Sequence, residues 1–513
     1  MKASDDLFQL IKAMSKSEKG YFKKFASKHT TGGGNIYLRL FDAIDDLRVY
    51  DENELKTKFK GEKFTDKIYS TKNYLFNLIL KALSAYHSER FAVSKLSTMH
   101  IELNVLFDKG LYKQYKSRLN KAIELAKEHD KAFWLAHLYD KEIKLLVTEY
   151  YEGASPENFG LLRKKVLENL DNLKLDQEYE ILYYELFFLL KKIGSVRNKK
   201  DLDALNKFID TPLFKNEKLA KNFNSKFHIY SMLGHYYRAI SDNGNWYKYR
   251  KALLDLMESD PKYIREYQTS YISSLNNYLN ACVYIGKYRE FEKYLDKMKA
   301  FSVQFANKKE YTDNQTRLFL LISDLELNYY KKTCRFEGMR KLIEDIEHGF
   351  KKFGKLIIEN RKISLYNRIA YAYFIIRDYS KSIQYINLIM NATNPKVEQE
   401  QHSFARIRNL ILHFELGNYD LLEYAVRSTR KYLSKAERIY KFEKLVLDFV
   451  VKAMNTDPEA GKLALYDRLK FDLGKIADDP FEKSALEQFD VISWLESKIQ
   501  KKDFADILKS KDQ

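Results

Sequence analysis

Six times along this chain, a helix-like run stops at a short turn and an aromatic residue opens the next run. The turns are Gly110-Leu111-Tyr112, Gly244-Asn245-Trp246, Gly286-Lys287-Tyr288, Cys334-Arg335-Phe336, Arg377-Asp378-Tyr379 and Gly417-Asn418-Tyr419. From Tyr288 onward the aromatics recur at spacings of 48, 43 and 40 residues. A period in that range belongs to stacked helical hairpins, each too small to bury its apolar face alone. Between Gly110 and Gly244 the same rhythm continues more faintly. The run 131–151 stops before Ser155-Pro156, a helix follows to about Leu173, and a separate apolar helix covers 179–193.

A chain of 513 residues is too long for one ordinary core, so an array or several domains are expected. Only 18 glycines and 6 prolines interrupt it. Every proline follows a residue suited to cap a helix: Ser155, Thr211, Asp260, Asn394, Asp457 and Asp479. Proline at the first helical position loses no hydrogen bond, because its missing N–H would be unpaired anyway. Each therefore marks an expected helix start, and no segment shows sustained strand alternation. The expected fold is all-α, a superhelical α-solenoid of about eight antiparallel helical hairpins.

The segment around Tyr379 resembles the tetratricopeptide repeat. Its matching positions are Tyr366, Ile369-Ala370, Tyr373, the turn Asp378-Tyr379, then Ser382, Ile386 and Ile389, closed by Asn394-Pro395. Gly286-Lys287-Tyr288 and Gly417-Asn418-Tyr419 fit the family's turn, and the match covers residues 265–435. Elsewhere larger residues replace the family's small ones, and the period exceeds its usual 34 residues. Longer divergent repeats of this kind are similar to those of bacterial regulatory proteins.

Three segments follow. Residues 1–90 read as a helical domain or N-terminal cap, with Ser15 and Glu18 opening its second helix and Asp51 its fourth. Residues 91–455 read as the repeats. Residues 456–513 read as capping helices, with Phe489 to Leu495 supplying bulk for the last open face.

No catalytic motif stands out. Gly32-Gly33-Gly34 lacks the Lys-Ser/Thr of a phosphate loop. The ten histidines, His228 and His235 among them, form no metal motif, and the two cysteines lie in different hairpins. No cofactor, metal or enzymatic activity is expected. With two cysteines, no secretory signal and no long apolar run, the expected setting is the cytoplasm, away from membranes. The formal charge of +18 is spread along the chain and interleaved with acids.

The resemblance implies a groove lined by the first helix of each hairpin, where side chains grip a peptide. Counting back twelve and eight positions from the turn aromatics selects Asn276 and Asn280, Asp324 and Asn328, and Asn367 and Tyr371. Asparagine amides both donate and accept, which suits a peptide backbone. The expected function is a non-catalytic scaffold that binds a protein or peptide segment. The alternative is a transcriptional regulator with an N-terminal helical DNA-binding domain and a peptide-sensing repeat domain, because the fourth and fifth helices resemble helix-turn-helix spacing. Lys67, Lys72 and Asn73 would then face nucleic acid.

Overall fold

A computed structural model describes residues 5–28, 36–89, 91–148, 155–306, 312–392, 399–456 and 459–511. Among them the chain is all-α and helical-repeat-like, with no strand. It divides into two compact units. The first comprises Met1–Gln177 with Phe305–Thr312, and the second Glu178–Gln304 with Asp313–Gln513.

The first unit begins with α1 (Asp6–Ala13), α2 (Lys16–Lys28), α3 (Ile36–Asp46), α4 (Glu52–Lys58) and α5 (Ile68–His87). The start of α2 is a reciprocal cap. Glu18 N–H donates to the Ser15 hydroxyl at 3.1 Å, and Ser15 N–H donates to the Glu18 carboxylate at 2.7 Å. Two otherwise unpaired amide donors are satisfied together. Asp51 likewise accepts from Asn53 and Glu54 N–H at the start of α4. These helices share a core built on Leu7, Ile11, Phe22, Phe41, Leu75 and Ile79. The Gly32–Gly34 segment lies outside the described residues. A second core joins α6 (Ala92–Asp108), α7 (Tyr112–Glu128), α8 (Ala132–Thr148) and the start of α9 (Pro156–Ile193) through Leu103, Leu119, Leu138 and Leu162.

In the second unit α10 (Lys199–Ile209) and α11 (Pro212–Lys215) lead into helical pairs. These are α12 (Phe223–Ala239) with α13 (Asn243–Glu258), and, after α14 (Pro261–Glu266), α15 (Gln268–Tyr284) with α16 (Tyr288–Val303). Next come α17 (Thr312–Lys332) with α18 (Met339–Phe353), α19 (Ile363–Ile375) with α20 (Tyr379–Met390), and α21 (Gln399–Glu415) with α22 (Tyr419–Lys435). The chain ends with α23 (Lys441–Met454), α24 (Glu459–Lys475), α25 (Lys483–Gln488), α26 (Val491–Gln500) and α27 (Phe504–Lys511).

The recurring turn has one physical form. A residue with positive φ ends the first helix: Gly110, Ser241, Gly286, Cys334, Arg377 or Gly417. The next amide then reaches back to a carbonyl five residues earlier, as Lys287 N–H does to Cys282 and Asp378 N–H to Tyr373, both at 2.9 Å. This closure satisfies carbonyls the helix end would leave open. The aromatic after the turn clasps the preceding helix. Tyr112 meets Phe107, Tyr379 meets Phe374 and Tyr419 meets Phe414, at centroid distances of 5.7, 5.3 and 6.3 Å.

The sequence pattern and the structure differ at several places. Gly244 lies inside the first turn of α13, and Ser241 takes the left-handed position. The expected break between about Leu173 and Tyr179 is absent, because α9 is continuous. No glycine or proline occurs between Gly160 and Gly194 to stop it. Pro156, Pro212 and Pro261 do open helices. Pro480 instead sits in a turn before α25, where Asp479 accepts from Phe481 N–H at 3.0 Å. Pro395 and Pro458 lie outside the described residues. Near the C-terminus Trp494 is buried and packs on Phe414, Phe449 and Tyr466.

Candidate functional site

The first helices of the five pairs from α12 to α21 all contribute to one cavity of about 380 Å³ in the second unit. α12 supplies His235 and Arg238, and α13 supplies Trp246 and Arg250. α15 gives Asn277, Asn280 and Tyr284, and α17 gives Lys331. α19 gives Ser364, Asn367, Arg368 and Tyr371, and α21 gives Glu400, Gln401 and Arg408. The size lies at the low end of the range for small-ligand sites.

The sequence candidates divide into two groups. Asn280, Asn367 and Tyr371 line the cavity. Asn276 lies one helical turn from Asn280 and accepts from its amide through the backbone carbonyl at 3.0 Å. Asp324 and Asn328 stand behind the lining and hold Arg368, whose Nε donates to Asp324 at 2.6 Å and Nη1 to Asn328 at 3.0 Å. Asn367 is itself held, donating to the Gln401 side chain at 3.0 Å. Tyr371 is buried, and its hydroxyl accepts from Asp490 N–H at 3.4 Å.

The dominant feature is one the sequence reading did not single out. Arg238, Arg250, Lys331, Arg368 and Arg408 all line the cavity, and Glu400 is the only carboxylate among the lining residues. Arg238 lies against the Trp246 and Tyr284 rings, at 4.5 and 4.3 Å from their centres. Arg408 donates to the carbonyls of Asn367 at 2.9 Å and Gln488 at 3.3 Å, while its Nε has no hydrogen-bond partner. Arg250 is 2% exposed, and neither its Nε nor its Nη1 has a partner. Gly234 makes the room: a Cβ there would sit 2.9 Å from the Arg250 guanidinium.

Burial lowers the affinity of Arg250, Arg408, His235 and Lys331 for protons. The Arg250 guanidinium is pushed down to about 10 by desolvation. His235 is held well below its ordinary value, first by burial and then by Arg250. Lys331 is pushed down to about 7, first by burial and then by the positive charges of Arg368, Lys332 and Arg408, with Asp490 opposing. Arg368 goes the other way: burial lowers it, but Asp324 more than offsets that.

A simple signal could have found these residues. Eleven positions before the turn aromatics Trp246, Tyr288, Tyr379 and Tyr419 stand His235, Asn277, Arg368 and Arg408, and all four line the cavity. Counting by twelve and eight landed beside that row.

In the first unit, Lys72 is buried and its ammonium meets Tyr50 and Glu52, the latter at 3.1 Å. Lys67 and Asn73 are exposed, and Asn73 accepts from the Asn77 amide through its carbonyl at 3.0 Å. No helix among the described residues is long and apolar enough to cross a membrane. No protein-family model matches the chain, and no curated protein matches it either.

Proposed function

We propose that this chain is a non-catalytic cytoplasmic binding scaffold, a tetratricopeptide-like α-solenoid with helical caps at both ends. It takes a protein or peptide segment against the first helices of its second unit. The observation that carries this reading is the cavity to which five successive helical pairs contribute polar side chains. Asn277, Asn280 and Gln401 present amides there, the group that reads a peptide backbone in both directions. Cys282 and Cys334 are not joined in a disulfide, which suits a reducing compartment.

A photo-crosslinking residue in place of Asn280, with one in place of exposed Arg427 on α22 as control, tests the reading in living cells. A polypeptide adduct formed at 280 and absent at 427 is the expected result. The absence of any polypeptide adduct at 280, with the protein folded, overturns it.

A further inference from the structure

We propose that the cavity of the second unit is a receptor for a small, multiply charged oxyanion seated against Arg250, Lys331 and Arg408. This goes beyond the peptide reading and does not require it.

The argument is one of allocation. Five cationic side chains line the cavity against one carboxylate. Arg368 is matched by Asp324, and Arg238 rests against the Trp246 and Tyr284 rings. Glu400 is already engaged, accepting from Ser195 N–H at 3.2 Å. The remaining three cations make no ion pair with a carboxylate among the described residues; Asp490 opposes the other charges on Lys331 without pairing with it. Arg250 keeps two unpartnered nitrogens at 2% exposure. Arg408, 3% exposed, reaches only carbonyl oxygens and the faces of Tyr371 and Phe489. The Lys331 ammonium makes no hydrogen bond or ion pair among the described residues and lies 5.2 Å from the Tyr371 ring centre. Arg250 and Arg408 are buried, and Lys331 is partly exposed at the cavity wall. Cations withdrawn from water without a paired counter-charge disfavour the fold, so three in one cavity call for a compensating ligand.

The position of Lys331 strengthens the case. Five residues before the turn aromatic, four of the five other hairpins place apolar groups, Phe107, Val283, Phe374 and Phe414, and the Trp246 turn has Ser241. Phe107, Phe374 and Phe414 there clasp the aromatic after the turn. In the α17 hairpin this place is taken by Lys331, which turns a packing position into a cavity cation. Gly234 is a second device, leaving the space into which the Arg250 guanidinium fits.

The charge excess also sets the ligand class. A neutral peptide backbone would leave all three cations uncompensated, and a single carboxylate would answer one. Arginine forks match carboxylate and phosphoryl oxygens alike. A phosphoryl group or a polycarboxylate of small-molecule size therefore fits both the charge and the volume. The depressed proton affinity of Lys331 agrees, since an anion seated there restores its charged form.

Titration calorimetry of the full chain with pyrophosphate and, separately, with citrate tests the proposal at physiological salt. Saturable binding of either probe is expected, and the preferred probe tells phosphoryl from carboxylate. Lys331→Met and Arg250→Gln should each weaken it by about tenfold or more. Because Arg250→Gln alters a fully packed site, Lys331→Met is the deciding variant and circular dichroism checks both folds. Failure of both probes to bind the folded wild type, or equal binding by folded Lys331→Met, overturns the proposal. Neither result touches the crosslinking outcome at position 280, so the two readings fail separately.

Discussion

Lys331 should be a burden on the ligand-free fold, and that burden can be measured. A lysine whose proton affinity falls from an ordinary 10.5 to about 7 is charged in the unfolded chain but only half charged in the folded one at pH 7. At about 1.4 kcal/mol per pH step, this difference withholds about 4 kcal/mol of stability at neutral pH. Lys331 is partly exposed, so relaxation and water entry reduce that figure, and the gain of about 1–4 kcal/mol seen at best when buried ion pairs are replaced by apolar groups sets the scale. Lys331→Met is therefore expected to stabilise the second unit by about 1–4 kcal/mol at pH 7. The pH dependence has a definite sign. Between the folded value near 7 and the unfolded value near 10.5, the unfolded chain binds more protons, so stability rises with pH across that window. From pH 7 to pH 9 the wild type should gain about 2 kcal/mol from this group, and Lys331→Met should lack that gain. The groups facing Lys331 that set this behaviour are Arg368, Lys332, Arg408, Asp490 and Tyr371.

Urea unfolding followed by tryptophan fluorescence reads this directly. The chain has three tryptophans, of which Trp246 and Trp494 lie in the second unit. A Trp134→Phe background thus confines the signal to that unit. A Lys331→Met variant less stable than its parent at pH 7, or with the same gain between pH 7 and pH 9, would refute the reasoning.

Three further perturbations test the fold. Arg197 is buried, donates to Glu443 at 2.8 Å and Glu482 at 2.7 Å, and also reaches the Phe481 carbonyl. Arg197→Ala leaves two buried carboxylates without their counter-charge and should cost about 3–5 kcal/mol, read in the same denaturation assay. Glu437 is exposed and held at positive φ after α22, so Glu437→Gly should stabilise by about 1 kcal/mol, seen as a higher urea midpoint. Ser15→Ala removes half of the reciprocal cap of α2 and should cost about 1 kcal/mol, with hydrogen exchange accelerated first at Glu18.

The all-α architecture was legible because its signals are local. Proline at a helix start and an aromatic after a left-handed turn depend only on residues within one or two turns of helix. The turn position was legible where glycine fills it, at Gly110, Gly286 and Gly417. It was misplaced at Gly244, because the strained residue there is Ser241 and the glycine is an ordinary helical one. Asp130 and Glu437 take the same left-handed geometry without any glycine, so a composition cue passes over them. Continuity of α9 was missed for the opposite reason. An apolar run on several faces looked like a new element, although nothing in it can break a helix.

The site was half legible, and the missing half follows from what a period can show. Repeat spacing identifies which helices share a face, and it led to Asn280, Asn367 and Tyr371. It says nothing of which polar groups are already answered by a neighbour from another repeat. Asp324 and Asn328 looked like ligand contacts in isolation, yet Arg368, one hairpin later, uses both. The pairing of Arg368 spans 44 and 40 positions in sequence, one full repeat. Compensation between repeats thus travels over the same distance as the period itself. A residue breaking the pattern at a fixed place in the hairpin, as Lys331 does where Phe374 and Phe414 pack, is the sharper signal. It marks a place where one hairpin has given up packing for charge, and the counter-charge must come from outside the repeat pattern.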